Sequence, residues 1–147
     1  MKSKTGFILS ALFVLLAFSC KKDLEDILVK KGGKWNIETY HHKESIPGSV
    51  LIDTVVYDFG NITFSENGKS IFIIGNASFG IDTMTFDWSV ENHNGQVVTI
   101  DPVAADTIIW KVEESSQKEQ TWSNSRSDSL NSDLRLTEEK ITIHSVK

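Results

Sequence analysis

The chain has 147 residues, of which 39% are hydrophobic, and a formal net charge of −5 at pH 7. This length suits a single domain, and the aromatic and β-branched side chains are numerous enough for a core. The acidic balance argues against nucleic acid as a partner, because nucleic-acid-binding domains need a basic surface. The one cysteine cannot form an internal disulfide.

The first 20 residues have the character of an export signal. Lys2 and Lys4 give a positive start, residues 7–18 are apolar, and Cys20 follows. An apolar run of this length is shorter than the ~20 residues that a membrane-spanning helix needs. The segment resembles a bacterial lipoprotein signal, in which the chain is cut before a cysteine that is then acylated.

That resemblance implies a signal peptide at residues 1–19 and a lipidated tether with a short helix at residues 20–32. The folded domain would occupy residues 33–147. Several acyl chains hold a membrane stably, so Cys20 would be a lasting anchor. The charges after Cys20 are similar to surface-export signals of Bacteroidetes-type lipoproteins. We therefore expect the outer membrane, with the periplasmic and surface faces both open.

Residues 23–31 predict one short helix. Asp23 can cap its N-terminus, and Gly32-Gly33 can end it. Its apolar face would consist of Leu24, Ile27 and Leu28.

From residue 34 onward, apolar and polar residues alternate, which predicts about eight strands. In the first strand Trp35, Ile37 and Thr39 would share one face. Two hairpin turns are predicted at Asn67-Gly68, as a type I′ turn, and at Asn94-Gly95. Polar residues 123–133 predict an exposed loop. The segment after it could be one bent strand or a hairpin across Glu138-Glu139.

The predicted fold is all-β: an antiparallel, up-and-down, eight-stranded barrel preceded by a short helix, with a β-sandwich as the alternative. A helix that runs into Gly33-Lys34-Trp35 resembles the opening of lipocalins. The resemblance implies that Trp35 packs at the closed end of the barrel and that Arg135 stacks over it. The leader, length and opening together are similar to small lipocalin-like lipoproteins of Bacteroidetes-type bacteria.

Aromatic residues lie on most of the predicted strands. Inside a barrel of this size they would either form a packed core or line a pocket for one small hydrophobic ligand. The candidate pocket or core residues are Trp35, Tyr57, Phe86, Trp88, Trp110 and Trp122.

No motif in the sequence predicts catalysis, a metal site or a cofactor. His41 and His42 are adjacent, so they would face opposite sides of a strand, and His93 and His144 are isolated. No serine lies in a Gly-x-Ser-x-Gly motif. We therefore expect a protein that is not an enzyme.

Four triplets read Asp, hydroxyl residue, aliphatic residue. They are similar to the O-glycosylation acceptor of exported Bacteroidetes proteins, although junctions between turns and strands also favour such triplets. The candidate acceptors are Thr54, Thr83, Thr107 and Ser129.

The leading hypothesis is a membrane-anchored lipocalin-like lipoprotein that binds a small hydrophobic ligand or acts as a cell-envelope accessory protein. The alternative is a protein-binding or glycan-binding β-module with a packed core, which predicts an exposed aromatic patch. The sequence does not indicate a protein partner.

Overall fold

The computed structural model describes residues 23–76, 80–130 and 133–146. Cys20 and the predicted signal peptide lie outside the described residues. A short helix, α1, is followed by a single 3₁₀ turn at Lys30–Gly32 and by eight strands. The bounds are α1 Leu24–Val29, β1 Lys34–Ile46, β2 Ser49–Phe64, β3 Lys69–Asn76, β4 Gly80–Glu91, β5 Gln96–Ile100, β6 Thr107–Ser115, β7 Glu119–Leu130 and β8 Asp133–Ser145.

The strands form a closed barrel. Each strand pairs antiparallel with the next, and β1 also pairs with β8. This is the up-and-down arrangement found in lipocalins, and closure leaves no strand at a sheet edge along the paired region. The predicted eight-stranded barrel with a short helix before it is confirmed, and the alternative sandwich is wrong.

One end of the barrel is filled by a dense core against which α1 packs. The carbonyl of Leu28 accepts a hydrogen bond of 2.9 Å from the Trp35 indole nitrogen, Nε1. Phe64 makes edge contacts with Trp88 and Trp122, with ring centroids 5.0 Å and 5.8 Å apart. The three apolar residues predicted on the helix face, Leu24, Ile27 and Leu28, are all buried in this core. Asp23 precedes the helix as expected, but its side chain makes no capping hydrogen bond.

Two irregularities change which side chains face inward. The β1–β2 register shifts between Ile37 and Thr39. Asp58 on β2 has a left-handed backbone with φ 51°. Such bulges interrupt strict alternation. As a result Tyr40, rather than Thr39, follows Ile37 on the inner face, which corrects the predicted pattern of β1.

Both predicted hairpins form, but their turn residues differ from the prediction. Gly68 has φ 74° while Asn67 does not have positive φ, so Asn67-Gly68 is not a type I′ turn. In the second hairpin, three consecutive residues, Asn92, His93 and Asn94, have left-handed backbones, and Gly95 donates its N–H to the carbonyl of Asn92 at 3.0 Å. Gly95 itself does not have positive φ, so the left-handed segment ends at Asn94.

The predicted exposed loop at residues 123–133 is wrong. β7 extends to Leu130, and β8 begins at Asp133 as one continuous strand. Hydrogen bonding to β8 overrides the low strand propensity of these polar residues, since the β7–β8 ladder runs from Glu119 to Leu130. The hairpin across Glu138-Glu139 is therefore not formed.

Candidate ligand cavity

An apolar cavity of about 170 Å³ lies inside the barrel, beside the dense core. Six hydrophobic side chains from β1 to β4 form one side of it: Ile37, Phe59, Phe72, Ile74, Met84 and Phe86. The other side is formed by Ile108, Trp110 and Ile141, together with the polar residues Tyr40 and Glu139. The cavity therefore combines hydrophobic walls with two hydrogen-bonding groups, which is the composition of a small-molecule site.

Aromatic pairs hold two of the walls in place. The rings of Tyr40 and Phe59 are stacked, with centroids 4.6 Å apart and planes inclined by 10°. Phe72 and Phe86 meet edge to face, with centroids 5.0 Å apart. Pairs of this geometry contribute roughly 0.5–1.5 kcal/mol beyond area burial, so the cavity walls are preorganised.

A chain of polar side chains crosses the interior on the far side of the cavity from the core. The Tyr40 hydroxyl donates to Glu139 Oε1 at 2.7 Å, and the same oxygen lies 3.5 Å from His42 Nδ1. His42 Nε2 lies 3.1 Å from Glu44 Oε1, and Arg135 donates to the other Glu44 oxygen. With its side chain only 10% exposed, Glu139 needs these partners, because a buried carboxylate without hydrogen bonds is costly.

Tyr40 is held in its neutral form. Burial raises the pKa of the Tyr40 hydroxyl far above its ordinary value of 10.0, and the hydrogen bond to Glu139 and its negative charge raise the pKa further. The charge of Arg126 acts in the opposite direction. Tyr40 is thus a hydrogen-bond donor throughout the neutral and moderately alkaline range.

The predicted pocket residues divide into three groups. Phe86 and Trp110 line the cavity. Trp35, Trp88 and Trp122 are buried in the dense core instead, because they lie on the part of the barrel that α1 covers.

Tyr57 lies on the outer face of the barrel, 69% exposed, so its assignment to the pocket is wrong. Left-handed Asp58 separates Tyr57 from Phe59. The two rings therefore face opposite sides of β2, and only Phe59 reaches the cavity.

The predicted stacking of Arg135 over Trp35 is also wrong. The residue opposite Trp35 on β8 is Ser145, ten positions further along the strand than Arg135. Arg135 therefore belongs to the other end of the barrel, where its guanidinium pairs with Glu44.

The charged cavity residue that the candidate pocket set lacks is Glu139. Its strand neighbours Glu138 and Lys140 are also charged, so no contrast with its neighbours marks it in the sequence. A usable signal lies two and four positions after Glu139, at the apolar residues Ile141 and Ile143. Extending that alternation backward places Glu139 on the inner face.

All four tryptophans of the chain are buried. A tryptophan platform for glycan stacking is therefore absent from the outer surface.

The histidines do not form a metal site among the described residues. His41 pairs with Asp53 at 2.7 Å and His144 with Glu38 at 2.6 Å, both on the outside. Within residues 23–76, 80–130 and 133–146, no group of three or more His, Cys, Asp or Glu residues could hold a metal ion. In the same residues, no helix is long and apolar enough to cross a membrane.

The candidate glycosylation sites are on strands. Thr54, Thr83 and Thr107 are exposed on β2, β4 and β6. Ser129 belongs to β7, but its side chain lies outside the described part of the structure.

No protein-family model and no curated protein matches the chain. Among solved structures, it is similar to a lipocalin-like protein from Bacteroides uniformis, with 14% identity over 77% of this chain and 96% of that chain and a TM-score of 0.48. An uncharacterized protein from Bacteroides eggerthii gives 12% identity over 77% and 97% of the two chains and a TM-score of 0.45.

The chain is also similar to bovine odorant binding protein complexed with its natural ligand. The identity is 11% over 88% of this chain and 77% of that chain, with a TM-score of 0.46. Similarity at this level identifies neither a family nor a ligand for this chain. The fold assignment therefore rests on the strand pairing of this chain, and its function on its own cavity.

Proposed function

We propose that the protein binds a small hydrophobic molecule inside its barrel. The observation that carries this proposal is the cavity of about 170 Å³ lined by aromatic and aliphatic side chains. Protein interiors are normally close-packed, with few voids larger than a water molecule. An apolar space of this size next to a dense core supports a binding role rather than a purely structural one.

The ligand is expected to be largely apolar. Transfer of its surface from water into the cavity contributes about 25 cal/mol per Å². Tyr40 and Glu139 offer hydrogen-bonding atoms at one side of the cavity. A ligand that covers these groups without forming hydrogen bonds to them would bind more weakly than one that forms such bonds.

The test is a titration with a hydrophobic dye, combined with native mass spectrometry of the protein as purified. Met84 faces the cavity, whereas the next residue, Thr85, is exposed. Met84→Trp should fill the space and abolish binding, and Thr85→Trp should leave binding unchanged because it adds the same indole outside the barrel. Equal binding by the two variants would place any dye site elsewhere.

We further propose that the protein is a lipoprotein anchored through Cys20 in the outer membrane. The lipoprotein-like signal that ends at Cys20 supports this proposal. Mass spectrometry of the mature N-terminus should find an acylated Cys20, and Cys20→Ser should move the protein to a soluble fraction. An intact, unacylated N-terminus would refute the anchor.

O-glycosylation at the Asp-Thr-aliphatic triplets is a separate proposal. The exposure of Thr54, Thr83 and Thr107 supports it, because a transferase can reach them before or after folding. Peptide mass spectrometry of the native protein should find hexose on these residues. Unmodified peptides throughout would end the proposal.

A further inference from the structure

The wall of the barrel is split between β6 and β7. Their hydrogen-bonded pairing begins near the β6–β7 turn and ends at Lys111 and Ser123. Beyond this point β6 continues to pair with β5, and β7 with β8, but the two strands are not paired with each other in the described residues. The Asn124 side chain donates to the carbonyl of Ile109 at 2.8 Å across the beginning of the gap.

A surface cleft of about 700 Å³ occupies this gap. Thr107, Ile109 and Lys111 form its β6 side, and residues 123–126 form its β7 side. The cavity and the cleft lie on opposite faces of the same strand, because the alternating residues Ile108 and Trp110 line the cavity. Glu139 borders both spaces.

The cleft carries more positive than negative charge, on a chain whose net charge is −5. Its cations are Lys43, Lys111, Arg126 and Lys140, and its carboxylates are Glu138 and Glu139. Glu113, which pairs with Lys111 beside the cleft, adds a third carboxylate, so the excess is one positive charge without counting His41.

Two of the four cations are already neutralised. Lys43 pairs with Glu138 at 3.1 Å, and Lys111 pairs with Glu113 at 2.9 Å. The side chains of Arg126 and Lys140 make no hydrogen bond or salt bridge within the described part of the chain, although the charge of Arg126 acts on Tyr40 and that of Lys140 on Glu113. Both groups can still form a direct pair with an anion.

The sizes of the two spaces also favour a ligand that occupies both. Ligand pockets usually measure about 300–1,000 Å³, and the cavity of about 170 Å³ is smaller. Glu139 borders both spaces and would repel an anionic group in either, but the described lining of the cavity has no cation whereas that of the cleft has four. An anionic group is therefore better placed in the cleft than in the cavity.

We propose that the ligand is an anionic amphiphile whose apolar end fills the cavity and whose phosphate, sulfate or carboxylate head lies in the β6–β7 cleft against Arg126 and Lys140. The proposal rests on the proposed hydrophobic-ligand function and adds the chemistry of the head group. Charge-assisted hydrogen bonds from a guanidinium and an ammonium are among the strongest available to such a head. The hydroxyl groups of Thr107 and Ser125 can supply further donors, whereas that of Ser123 already donates to Glu113.

The experiment compares three probes on the full chain, kept free of detergent in nanodiscs, with empty nanodiscs as the blank. Octyl phosphate has the tail and the head, octanol the tail alone, and inorganic phosphate the head alone. Calorimetry should show that octyl phosphate binds tightest. Added salt should lower the affinity for octyl phosphate and leave the affinity for octanol unchanged, because salt screens exposed charges.

The decisive variant is Arg126→Gln combined with Lys140→Gln. This double variant should lower the affinity for octyl phosphate roughly tenfold and leave the affinity for octanol unchanged. The matched control, Lys34→Gln with Lys118→Gln, removes the same charge from the dense-core end of the barrel and should have less than about a twofold effect. Circular dichroism checks that both double variants keep their β-structure. If Arg126→Gln with Lys140→Gln does not fold, Lys140→Gln alone replaces it.

The outcomes separate the head-group proposal from the proposed function. Equal binding of octanol and octyl phosphate, or equal loss in both double variants, would overturn the head-group site while leaving the cavity function standing. Inorganic phosphate that binds as tightly as octyl phosphate would show an anion site independent of the cavity, which also overturns the proposal. Failure of every probe with a tail would reject the cavity function itself.

Discussion

At the end of the barrel where α1 packs, Phe64 contacts both Trp88 and Trp122, whereas toward the β1–β2 turn Phe72 faces an apolar cavity. We call these regions the core end and the cavity end. Both have eight-stranded walls in which side chains alternate inward and outward. They differ in what the inward positions carry and in how completely the strands pair.

The core end is full because its inward residues are large and apolar and α1 covers it. At the cavity end, inward positions include His42, Glu44 and Glu139, which require hydrogen bonds rather than close packing. β6 and β7 also diverge there. The barrel thus places packed aromatics at one end and polar groups with incomplete strand pairing at the other, which separates the region that stabilises the fold from the proposed binding site.

The sharpest test of this comparison removes one phenylalanine ring from each end. Phe64→Ala should lower the free energy of unfolding by about 3–5 kcal/mol, because a ring only 1% exposed leaves a new void. Phe72→Ala should cost about half as much, since it is partly buried and borders existing space. Urea denaturation measures both. Equal losses would mean that the cavity end is packed as tightly as the core end.

A second test uses two adjacent glycines before β1. A Cβ on Gly33 would lie 1.8 Å from the carbonyl oxygen of Phe64, so Gly33→Ala must displace backbone at the core end. The expected loss is about 3 kcal/mol or more. Gly32→Ala has the same kind of left-handed strain but open space around it and should cost about 1 kcal/mol. Thermal unfolding of the two variants checks this prediction. Similar losses of stability in both would refute the close approach of Gly33 to β2.

The third test concerns the polar groups of the cavity end. Tyr40→Phe removes the donor to Glu139 and should lower the free energy of unfolding by about 1–2 kcal/mol at neutral pH. The folded state raises the pKa of Tyr40, so its neutral phenol stabilises the fold below the unfolded pKa of about 10. That contribution is lost as the pH rises toward the folded pKa.

Chemical denaturation from neutral to strongly alkaline pH measures this effect. The stability of the wild-type protein should approach that of Tyr40→Phe as the pH rises above about 10. The matched control is Tyr57→Phe, whose ring is on the outer face, and it should change neutral-pH stability by less than about 0.5 kcal/mol. A gap between wild type and Tyr40→Phe that stays constant with pH would contradict the assignment.

The smallest expected effect is at the start of α1. Asp23 occupies the N-cap position, but its side chain makes no capping bond. Asp23→Ala should therefore change the free energy of unfolding by less than about 0.5 kcal/mol, below the ~1 kcal/mol typical of a lost cap. A loss at or above the typical value, measured by urea denaturation, would show that Asp23 caps the helix in solution.

Much of the core end could be predicted from the sequence. Alternation in β4 placed the core residue Trp88 on the inner face, together with the cavity residues Met84 and Phe86, and the short helix with its apolar face was visible from local spacing. These features are local, because neighbours along the chain determine which face each side chain takes. The number of strands and the need to cover their apolar faces left a barrel and a sandwich open, and the pairing of β1 with β8 decided for the barrel.

The cavity end depended on the tertiary structure. The hydrogen bond between Tyr40 and Glu139 joins residues 99 positions apart and exists only because β1 pairs with β8. Left-handed Asp58 sends Tyr57 outward, a reversal that simple alternation along β2 does not predict. Strand propensity and alternation report on short segments, whereas bulges, strand divergence and barrel closure are decided by pairing between distant segments. The sequence by itself therefore determined most of the strands and the apolar core. Only the folded barrel decided that β7 extends to Leu130 and which polar groups meet the cavity.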